Sequence, residues 1–255
     1  MRLTILQSDI IASDVRANLS AAESLISENQ GSDFYILPEM FATGFIERPT
    51  PSDASVGTEV VEWMRGVASR FSCHVGGSVL IAEGGKFFNR FVVASPDGQL
   101  VCADKRHLFS MGGEGKAYSH GDGRVIVTIG GVRFLLLVCY DLRFPVWSRV
   151  TPSSSYDAIV YVANWPATRM LSWDTLLRAR AIENQAYVVG VNRVGSAGNI
   201  AYVGHSVVID PWGNDLVRCP DAEVAAAVAD VSAERVTEVR RKFPALADAD
   251  AFSLG

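Results

Sequence analysis

Three residues that could carry out nucleophilic chemistry each stand at the end of an apolar run in the sequence. Cys139 follows the run at residues 134–138, and Glu39 and Lys105 each end a shorter run of the same kind. Short apolar runs bounded by polar residues are typical of buried strands, and the ligands of α/β sheets gather at the carboxyl ends of strands. The pattern predicts a thiol nucleophile, a carboxylate base and a cation at one sheet edge.

These residue types point to covalent catalysis. A free thiol attacks slowly because only the thiolate is a good nucleophile, so Cys139 needs a partner that removes its proton. We expect Glu39 to take that proton, while Lys105 and the backbone N–H of Tyr140, a predicted substrate contact, stabilise an oxyanion. Glu114, in a glycine-rich segment, is a candidate second carboxylate. Such a site would attack an amide or nitrile carbon, release ammonia or an amine, and leave a thioester for water to hydrolyse.

Arg143 comes shortly after the cysteine and is a candidate for binding a carboxylate on the substrate. A guanidinium binds a carboxylate through two parallel hydrogen bonds, which lysine cannot reproduce. An ion pair with Asp141 or Glu183 is an equally good interpretation of the same arginine, and the sequence alone leaves both open.

Five further residues are predicted to line the pocket. Asn164, Trp165 and Pro166 follow the apolar run at residues 158–163, which places them at the predicted sheet edge, although Trp165 serves equally well as packing. Phe109 precedes the glycine-rich segment and Tyr118 lies within residues 112–123, and both are weaker candidates.

These residues can meet only in a fold that brings several strand ends together. The hydrophobic pattern of the rest of the chain predicts strands and helices in alternation. Strands are predicted at residues 3–10, 34–37, 74–81, 87–94, 125–129, 132–138, 158–163, 187–192, 202–209, 215–218 and 225–231, with one more ending at Lys105. Helices are predicted at residues 14–27, 58–71, 168–184 and 232–242, with Asp14 and Ser232 as N-caps. With no linker or repeat, we expect one domain over residues 1–255, an α/β fold of two mixed sheets with outer helices.

Composition excludes several classes of protein. The chain has 255 residues, 49% of them hydrophobic and 20% charged, with a formal net charge of -5. Mild acidity argues against nucleic acid as the main partner, because phosphate binding needs basic patches. No apolar stretch approaches the roughly 20 residues of a membrane helix, and the first residues predict a strand where a signal peptide would be. We therefore predict neither a nucleic-acid nor a membrane partner.

The four cysteines, at positions 73, 102, 139 and 219, match no zinc-binding spacing, and no phosphate-loop pattern occurs. We predict no metal, no cofactor and no disulfide framework. Reduced thiols are typical of cytoplasmic proteins, and we expect that location.

Each candidate residue, taken alone, has an ordinary structural explanation, because cysteines fill cores and charged residues often follow strands at the surface. Longer sequence motifs around these residues favour the functional interpretation over the structural one. The phrases are Leu37-Pro38-Glu39-Met40-Phe41, Asp104-Lys105-Arg106-His107-Leu108-Phe109, Cys139-Tyr140-Asp141-Leu142-Arg143-Phe144-Pro145, Ala163-Asn164-Trp165-Pro166, Arg178-Ala179-Arg180-Ala181-Ile182-Glu183-Asn184, Gly204-His205-Ser206 and Asp210-Pro211-Trp212-Gly213. Their order and spacing resemble the nitrilase superfamily of carbon–nitrogen hydrolases over nearly the whole chain.

The resemblance implies a four-layer αββα sandwich and a Glu-Lys-Cys triad at Glu39, Lys105 and Cys139. It also implies that Glu114 matches the family's second active-site glutamate. The phrase beginning at the cysteine is most similar to the omega-amidase branch, which hydrolyses the side amide of 2-oxo acids such as 2-oxoglutaramate and 2-oxosuccinamate. A homodimer is implied too, and the apolar residues 243–246 agree with it.

Several alternatives stay open. Residues 112–123 form a glycine-rich loop that lacks the bulk expected near the substrate mouth, so nitrile or N-carbamoyl hydrolysis remains beside amide hydrolysis. The phrase after the cysteine argues against a true nitrilase, and a catalytically silent binding protein would have no reason to retain the triad. A Cys-His mechanism would need one of the imidazoles, at His74, His107, His120 or His205, beside the cysteine.

Overall fold

The computed structural model describes residues 1–250, which form fourteen strands and five α-helices. The strands are β1 Arg2–Gln7, β2 Phe34–Ile36, β3 His74–Glu83, β4 Lys86–Ala94, β5 Leu100–Asp104, β6 Ile126–Ile129, β7 Val132–Val138, β8 Ala158–Ala163, β9 Tyr187–Asn192, β10 Val194–Ala197, β11 Ile200–Val203, β12 Val207–Ile209, β13 Asp215–Arg218 and β14 Ala225–Asp230. The α-helices are α1 Val15–Glu28, α2 Pro51–Phe71, α3 Pro145–Ser148, α4 Met170–Asn184 and α5 Ala233–Lys242. None of these helices is both long and apolar enough to cross a membrane.

Two six-stranded sheets form the centre of the fold. The first has the strand order β14-β1-β2-β3-β4-β5, and the second has the order β13-β12-β9-β8-β7-β6. β1, β2 and β3 are parallel, as are β7, β8 and β9, whereas the other neighbouring pairs in these sheets are antiparallel. Both sheets are therefore mixed, which confirms the predicted α/β class.

The sheets pack face to face, and helices cover their outer faces. Phe34 of β2 and Phe134 of β7 meet edge-on in the shared core, with ring centroids 5.6 Å apart. α1 and α2 pack on the first sheet through residues such as Ile26 and Met64, and α4 packs on the second sheet through Leu177. Burial on both faces explains why so many strands read as continuous apolar runs. The layers form the predicted four-layer αββα sandwich.

Four strand ends meet at one edge of this sandwich. In the first sheet, Glu39 comes shortly after β2 and Lys105 comes directly after β5. β5 runs in the same direction as β3, because two antiparallel pairings separate them. In the second sheet, Cys139 follows β7 and Asn164 follows β8. Side chains from both sheets therefore reach one common space.

Helix α2 begins at Pro51, and the start predicted at residue 58 is wrong. Thr50 and Asp53 form a capping box, in which the Asp53 N–H donates to Thr50 Oγ1 at 3.3 Å and the Thr50 N–H donates to the Asp53 carboxylate at 2.8 Å. Proline suits the first helical position because its φ is already helical. The apolar spacing that guided the prediction does not extend into this first turn, whose residues are largely exposed.

The strand predicted at residues 202–209 is in fact two strands, β11 and β12. Gly204 and His205 separate them with φ values of +77° and +59°, which are incompatible with extended backbone. A Cβ atom at Gly204 would clash with the side chain of Gln7, so only glycine fits this position. β10, which was not predicted, pairs with β11 as a hairpin outside the two large sheets.

The β10–β11 hairpin is anchored by Arg193, which is buried. Its Nη2 donates to Asp9 Oδ1 at 3.0 Å and to the Ile10 carbonyl at 2.7 Å, and its guanidinium lies 4.6 Å from the ring centroid of Tyr202. These contacts hold Ile200 and Tyr202 of the hairpin beside the edge where the strand ends meet.

Candidate active site

Cys139 occupies a sharp turn at the end of β7. Its φ of +47° is a left-handed conformation that residues other than glycine rarely adopt. Asp141 stabilises this turn, because its carboxylate accepts from the Val138 N–H at 3.0 Å and from the His107 N–H at 2.9 Å. The same carboxylate therefore ties the Cys139 turn to the loop that follows Lys105.

Glu39 is presented by a similar turn after β2. The next residue, Met40, has a φ of +48°. Its N–H donates to the buried Ser78 Oγ at 3.0 Å, and its carbonyl accepts from the Gly44 N–H at 2.8 Å. Two tight turns, one from each sheet, thus bring a carboxylate and a thiol to the same cavity.

Lys105 forms the centre of the site because its ammonium is buried between two carboxylates. Nζ lies 2.9 Å from Glu39 Oε1 and 2.9 Å from Glu114 Oε2, with a further contact of 3.0 Å to Glu114 Oε1. All three residues are buried, with at most 2% of their surface exposed. One positive and two negative charges leave a net charge of -1 inside the protein.

This charge environment sets the resting protonation of the lysine and the thiol. Burial by itself lowers the pKa of the Lys105 ammonium, but Glu39 and Glu114 outweigh it, and the pKa lies well above its ordinary value. Burial raises the pKa of the Cys139 thiol well above its usual range; Glu39 adds to the rise and Lys105 opposes it. At neutral pH the site holds a charged lysine and a neutral thiol that must lose its proton before it attacks.

Asn89 completes the cluster, and no motif in the sequence pointed to it. Its Nδ2 donates to Glu39 Oε1 at 2.7 Å and to Glu114 Oε1 at 3.3 Å, and its backbone carbonyl accepts from the Lys105 N–H at 2.9 Å. Asn89 lies in β4 with no exposed surface. The one available signal was strand alternation, which places residue 89 on the same inward face as Phe91.

Two backbone N–H groups also donate hydrogen bonds to the carboxylates. The Asn164 N–H donates to Glu39 Oε2 at 2.8 Å, and the Phe109 N–H donates to Glu114 Oε2 at 2.6 Å. The side-chain amide of Asn164 is buried and has no hydrogen-bond partner within residues 1–250. Because Asn164 lines the cavity, this amide is available to a bound ligand.

The cavity has a volume of about 170 Å³. The structure brings most of the predicted residues into its wall, namely Glu39, Lys105, Phe109, Glu114, Cys139, Tyr140, Arg143, Asn164 and Trp165. Pro166, which the sequence placed beside Asn164 and Trp165, also lines the cavity, whereas sequence reasoning missed Phe45, Glu47, Gly112, Arg169, Ile200 and Tyr202. Ligand pockets commonly measure roughly 300–1,000 Å³, so this one admits only a small substrate.

Arg143 forms neither of the ion pairs that the sequence left open. The Asp141 carboxylate bonds to other groups, and Glu183 pairs with Arg180 at 3.1 Å. Across residues 1–250, Arg143 makes no salt bridge. Its guanidinium lies 4.9 Å from the ring centroid of Trp165, which leaves its N–H groups for a ligand.

Arg169 provides a second guanidinium in the cavity wall. It lies 5.3 Å from the ring centroid of Phe109, and its backbone carbonyl accepts from Trp165 Nε1 at 2.9 Å. An aromatic face attracts a guanidinium without using its N–H donors. The cavity wall therefore contains two arginines that rest on aromatic rings.

Tyr118 lies behind the cavity wall, which corrects its predicted place among the substrate contacts. Its ring stacks on the lining residue Phe45 with centroids 5.6 Å apart, and its hydroxyl donates to the Ile46 carbonyl at 2.7 Å. Tyr118 therefore supports the wall and does not line it.

The residues that line the cavity include no histidine. His107 contacts the turn that carries Cys139, but its Nδ1 bonds to Asp141 at 2.8 Å and its ring stacks on Phe144 with centroids 3.7 Å apart. This geometry gives no support to a Cys-His mechanism.

Known proteins have similar sequences over nearly their full length. A family model for carbon–nitrogen hydrolases matches residues 2–241. The chain is 44% identical over 255 residues to the omega-amidase YafV of Yersinia enterocolitica, covering 100% of this chain and 98% of that protein. It is 32% identical to the 2-oxoglutaramate amidase of Bacillus subtilis strain 168, covering 96% of each.

A solved structure agrees with the sequence comparison. XC1258 from Xanthomonas campestris, a CN-hydrolase superfamily protein with an arsenic adduct in its active site, matches with a TM-score of 0.92 and 38% identity, covering 100% of this chain and 99% of that one. The predicted resemblance to the nitrilase superfamily and its omega-amidase branch is confirmed, as is the prediction of a hydrolase that acts on carbon–nitrogen bonds. The chain belongs to the carbon–nitrogen hydrolase family of the nitrilase superfamily.

Proposed function

We propose that this protein hydrolyses the side amide of a small carboxylate-bearing substrate, of the 2-oxoglutaramate or 2-oxosuccinamate type, to the acid and ammonia. The observation that carries the proposal is the cluster of Glu39, Lys105 and Glu114, which shares a small cavity with Cys139 and Arg143. The cluster and the thiol supply the chemistry, and the arginine supplies a site for negative charge on the substrate. The omega-amidase and 2-oxoglutaramate amidase relatives support the same substrate class.

Acylation begins when Glu39 takes the proton of the Cys139 thiol and the sulfur attacks the amide carbon. The carbonyl oxygen becomes an oxyanion, which the Lys105 ammonium and the backbone N–H of Tyr140 stabilise. The carbon–nitrogen bond breaks while Glu39 gives the proton to the leaving nitrogen, which departs as ammonia. The substrate acyl group is then a thioester on Cys139.

Water releases the acid in the second half of the reaction. Glu39, ionised again, takes a proton from the water molecule that attacks the thioester carbon. The carbon–sulfur bond breaks, and the sulfur regains its proton from Glu39, which restores both groups. Glu114 remains bonded to Lys105 and helps to keep the ammonium charged.

Arg143 is proposed to bind the carboxylate at the far end of the substrate. Its guanidinium is held by Trp165, and Arg169 adds a second positive charge to the same wall. Binding energy from this remote group would position the amide carbon against Cys139, which lowers the barrier of the chemical step.

We further propose that two copies of the chain form a homodimer. Ile182, Trp212 and Phe243 form an exposed apolar patch, with exposed fractions of 52%, 41% and 58%. The rings of Trp212 and Phe243 lie 6.4 Å apart, and the Ile182 side chain lies against Gly213. A grouped apolar surface of this kind is typical of interfaces, and closed two-fold pairing is the commonest form of self-association.

We also propose a cytoplasmic location. The four cysteines are all free, and a thiol nucleophile works only in its reduced form. The cytoplasm keeps thiols reduced.

Lys105→Met keeps an unbranched side chain, one atom shorter, and removes its charge. We expect the free energy of unfolding at about pH 7.5 to fall by about 3–5 kcal/mol, the usual cost of leaving a buried charge unpaired. The loss should shrink toward about pH 5, because the unpaired carboxylates can then take up protons, whereas the raised pKa of Lys105 keeps the native lysine charged over this range. Urea denaturation at both pH values measures this, with the exposed Lys116→Met as a control that should be neutral. The same loss at both pH values would contradict the explanation.

Cys139→Ala should abolish ammonia release and leave the protein folded, because the nucleophile is lost but only a single sulfur atom of a half-buried residue is removed. The loss should reach several orders of magnitude in kcat, as is usual for a nucleophile. The exposed Cys102→Ala is the matched control and should keep full activity. The assay compares omega-amides of 2-oxo acids, simple aliphatic amides, N-carbamoyl amino acids and nitriles. Preference for either of the last two would rule out the proposed substrate while leaving the thiol mechanism in place.

Arg143→Lys should affect a carboxylate-bearing amide much more than a neutral aliphatic amide of the same length. Lysine cannot reproduce a bidentate guanidinium contact, and a hydrogen bond to a charged group is worth about 1.5–3 kcal/mol in kcat/KM. The exposed Arg16→Lys serves as the control. If kcat/KM falls equally for both amides and thermal stability falls too, Arg143 is a structural residue and the binding role is wrong.

Sedimentation velocity at micromolar concentrations should show a particle of twice the monomer mass. Phe243→Glu should shift it toward the monomer, because a buried unpaired charge in the interface is costly. Val224→Glu, at an apolar residue outside the patch with 54% exposure, is the control and should stay dimeric. A monomer for the native chain over this concentration range would refute the dimer.

A further inference from the structure

Both oxygens of Glu114 are taken up by hydrogen bonds and by the ion pair with Lys105. A carboxylate has two oxygens, and each can accept about two hydrogen bonds. Oε1 of Glu114 accepts from Lys105 Nζ at 3.0 Å and from Asn89 Nδ2 at 3.3 Å. Oε2 accepts from the Phe109 N–H at 2.6 Å and lies 2.9 Å from Lys105 Nζ in the ion pair. Glu114 is therefore fully occupied and is poorly placed to take a further proton.

Glu39 differs from Glu114 by one free position. Its Oε1 accepts from Lys105 Nζ at 2.9 Å and from Asn89 Nδ2 at 2.7 Å, so this oxygen is filled. Its Oε2 accepts only from the Asn164 N–H, at 2.8 Å. Of the four carboxylate oxygens in the cluster, Oε2 of Glu39 alone can accept a proton without losing a partner.

We infer that the proton of the Cys139 thiol moves to Oε2 of Glu39, and that Asn89 is a positioning residue that directs it there. Asn89 acts by filling Oε1 and by joining both carboxylates through one amide nitrogen. The inference rests on the proposed thiol mechanism, to which it adds the atom that takes the proton and the residue that selects that atom.

The same geometry lets Lys105 serve both the carboxylates and the oxyanion. An ammonium has three N–H groups, and at rest Lys105 Nζ donates to Oε1 of Glu39 and to Oε1 of Glu114, with Oε2 of Glu114 also 2.9 Å away. When Oε2 of Glu39 takes the proton, the carboxyl becomes neutral and Oε1 becomes a weaker acceptor. One N–H of Lys105 can then turn to the forming oxyanion, while Asn89 still holds Oε1 and keeps Glu39 in place to return the proton.

The side chain of Asn89 is oriented for this role. Its nitrogen faces the carboxylates, which can only accept hydrogen bonds when ionised. Its Oδ1 is buried and has no partner within residues 1–250. A buried unpaired acceptor costs free energy, so the donor side of the amide, and not the acceptor side, is what stabilises asparagine at this position.

The test measures the rate at which iodoacetamide alkylates Cys139 as a function of pH, which needs no substrate. The reaction forms a carbon–sulfur bond and releases iodide, and the thiol proton moves to Glu39. Asn89→Ala should slow alkylation by about 10- to 100-fold, the range for a lost hydrogen bond to a charged group. In the pH profile of the alkylation rate, the acidic limb is the fall in rate at low pH, where the base becomes protonated. In Asn89→Ala this limb should move to higher pH, because a carboxylate with one donor fewer takes up a proton more easily.

Two glutamine variants separate the carboxylates. Glu39→Gln should alkylate slowly at every pH, with no acidic limb, because the base is gone. Glu114→Gln should keep an acidic limb and move it to lower pH, because one negative charge beside Glu39 has been removed. Equal behaviour of the two variants would overturn the assignment of the proton to Glu39.

Asn184→Ala is the matched control for Asn89→Ala. Asn184 is a buried asparagine whose amide bonds to the Val150 N–H and the Arg180 carbonyl, far from the carboxylates in the sequence. It should lower the melting temperature and leave the acidic limb unchanged. If Asn89→Ala behaves in the same way, its role is structural and the inference is wrong. Should Asn89→Ala not fold, Asn89→Asp keeps the volume and, by adding a negative charge, should move the limb to higher pH.

The outcome distinguishes this inference from the proposed function. If the native protein hydrolyses none of the amides but the acidic limbs move as expected, the proton assignment stands and the proposed substrate falls. If amide hydrolysis depends on Cys139 but Asn89→Ala leaves the limb unmoved, the proposed function stands and the role of Asn89 falls.

Discussion

A lysine ammonium buried between two carboxylates is the interaction on which the rest of the structure depends. Removing three charges from water is costly, and their attraction offsets the cost only with good geometry and full hydrogen bonding. Here Lys105 Nζ lies within 3.0 Å of three carboxylate oxygens, and N–H groups of Asn89, Asn164 and Phe109 satisfy most of the remaining positions. A shift of one ångström in any of these elements would leave a buried charge unpaired. The cluster therefore fixes the two strand ends and the Glu114 loop relative to each other.

Neither sheet could build the site alone. The first sheet supplies Glu39, Lys105 and Asn89, and the second supplies Cys139 and the Asn164 N–H. The distance between base and nucleophile is therefore set by how the two sheets pack, through apolar contacts in a shared core against which Cys139 itself packs. Protein interiors are close-packed and transmit strain, so a change of volume in that core would be felt as a change in the distance between the carboxylate and the thiol.

Sequence patterns reveal the parts of this site that carry a local signal, and they do not reveal the parts that depend on contacts between distant residues. Glu39 and Cys139 were found because each ends a run of apolar residues, and such runs are a strong local signal. Asn89 was missed because its role depends on a carboxylate fifty positions away, which no local pattern encodes. The break at Gly204 was missed for the same reason, since the side chain that forces it belongs to Gln7 in β1. The early start of α2 has a local signal, because Thr50 and Asp53 carry the capping-box pattern in the sequence. Apolar spacing alone does not reveal it, since the first turn is largely exposed.

The two turns that carry the base and the nucleophile are strained in the same way. Met40 and Cys139 both have φ near +48°, and a left-handed residue with a side chain costs of order 1–3 kcal/mol. Such strain persists only where surrounding contacts fix the backbone, and here buried side chains do so. Ser78 Oγ accepts from the Met40 N–H, and the Asp141 carboxylate accepts from the Val138 and His107 N–H groups. A relaxed turn would point the thiol or the carboxylate along its strand, into the apolar core. The strain is thus the condition under which two buried strands can end in groups that face each other across a small cavity.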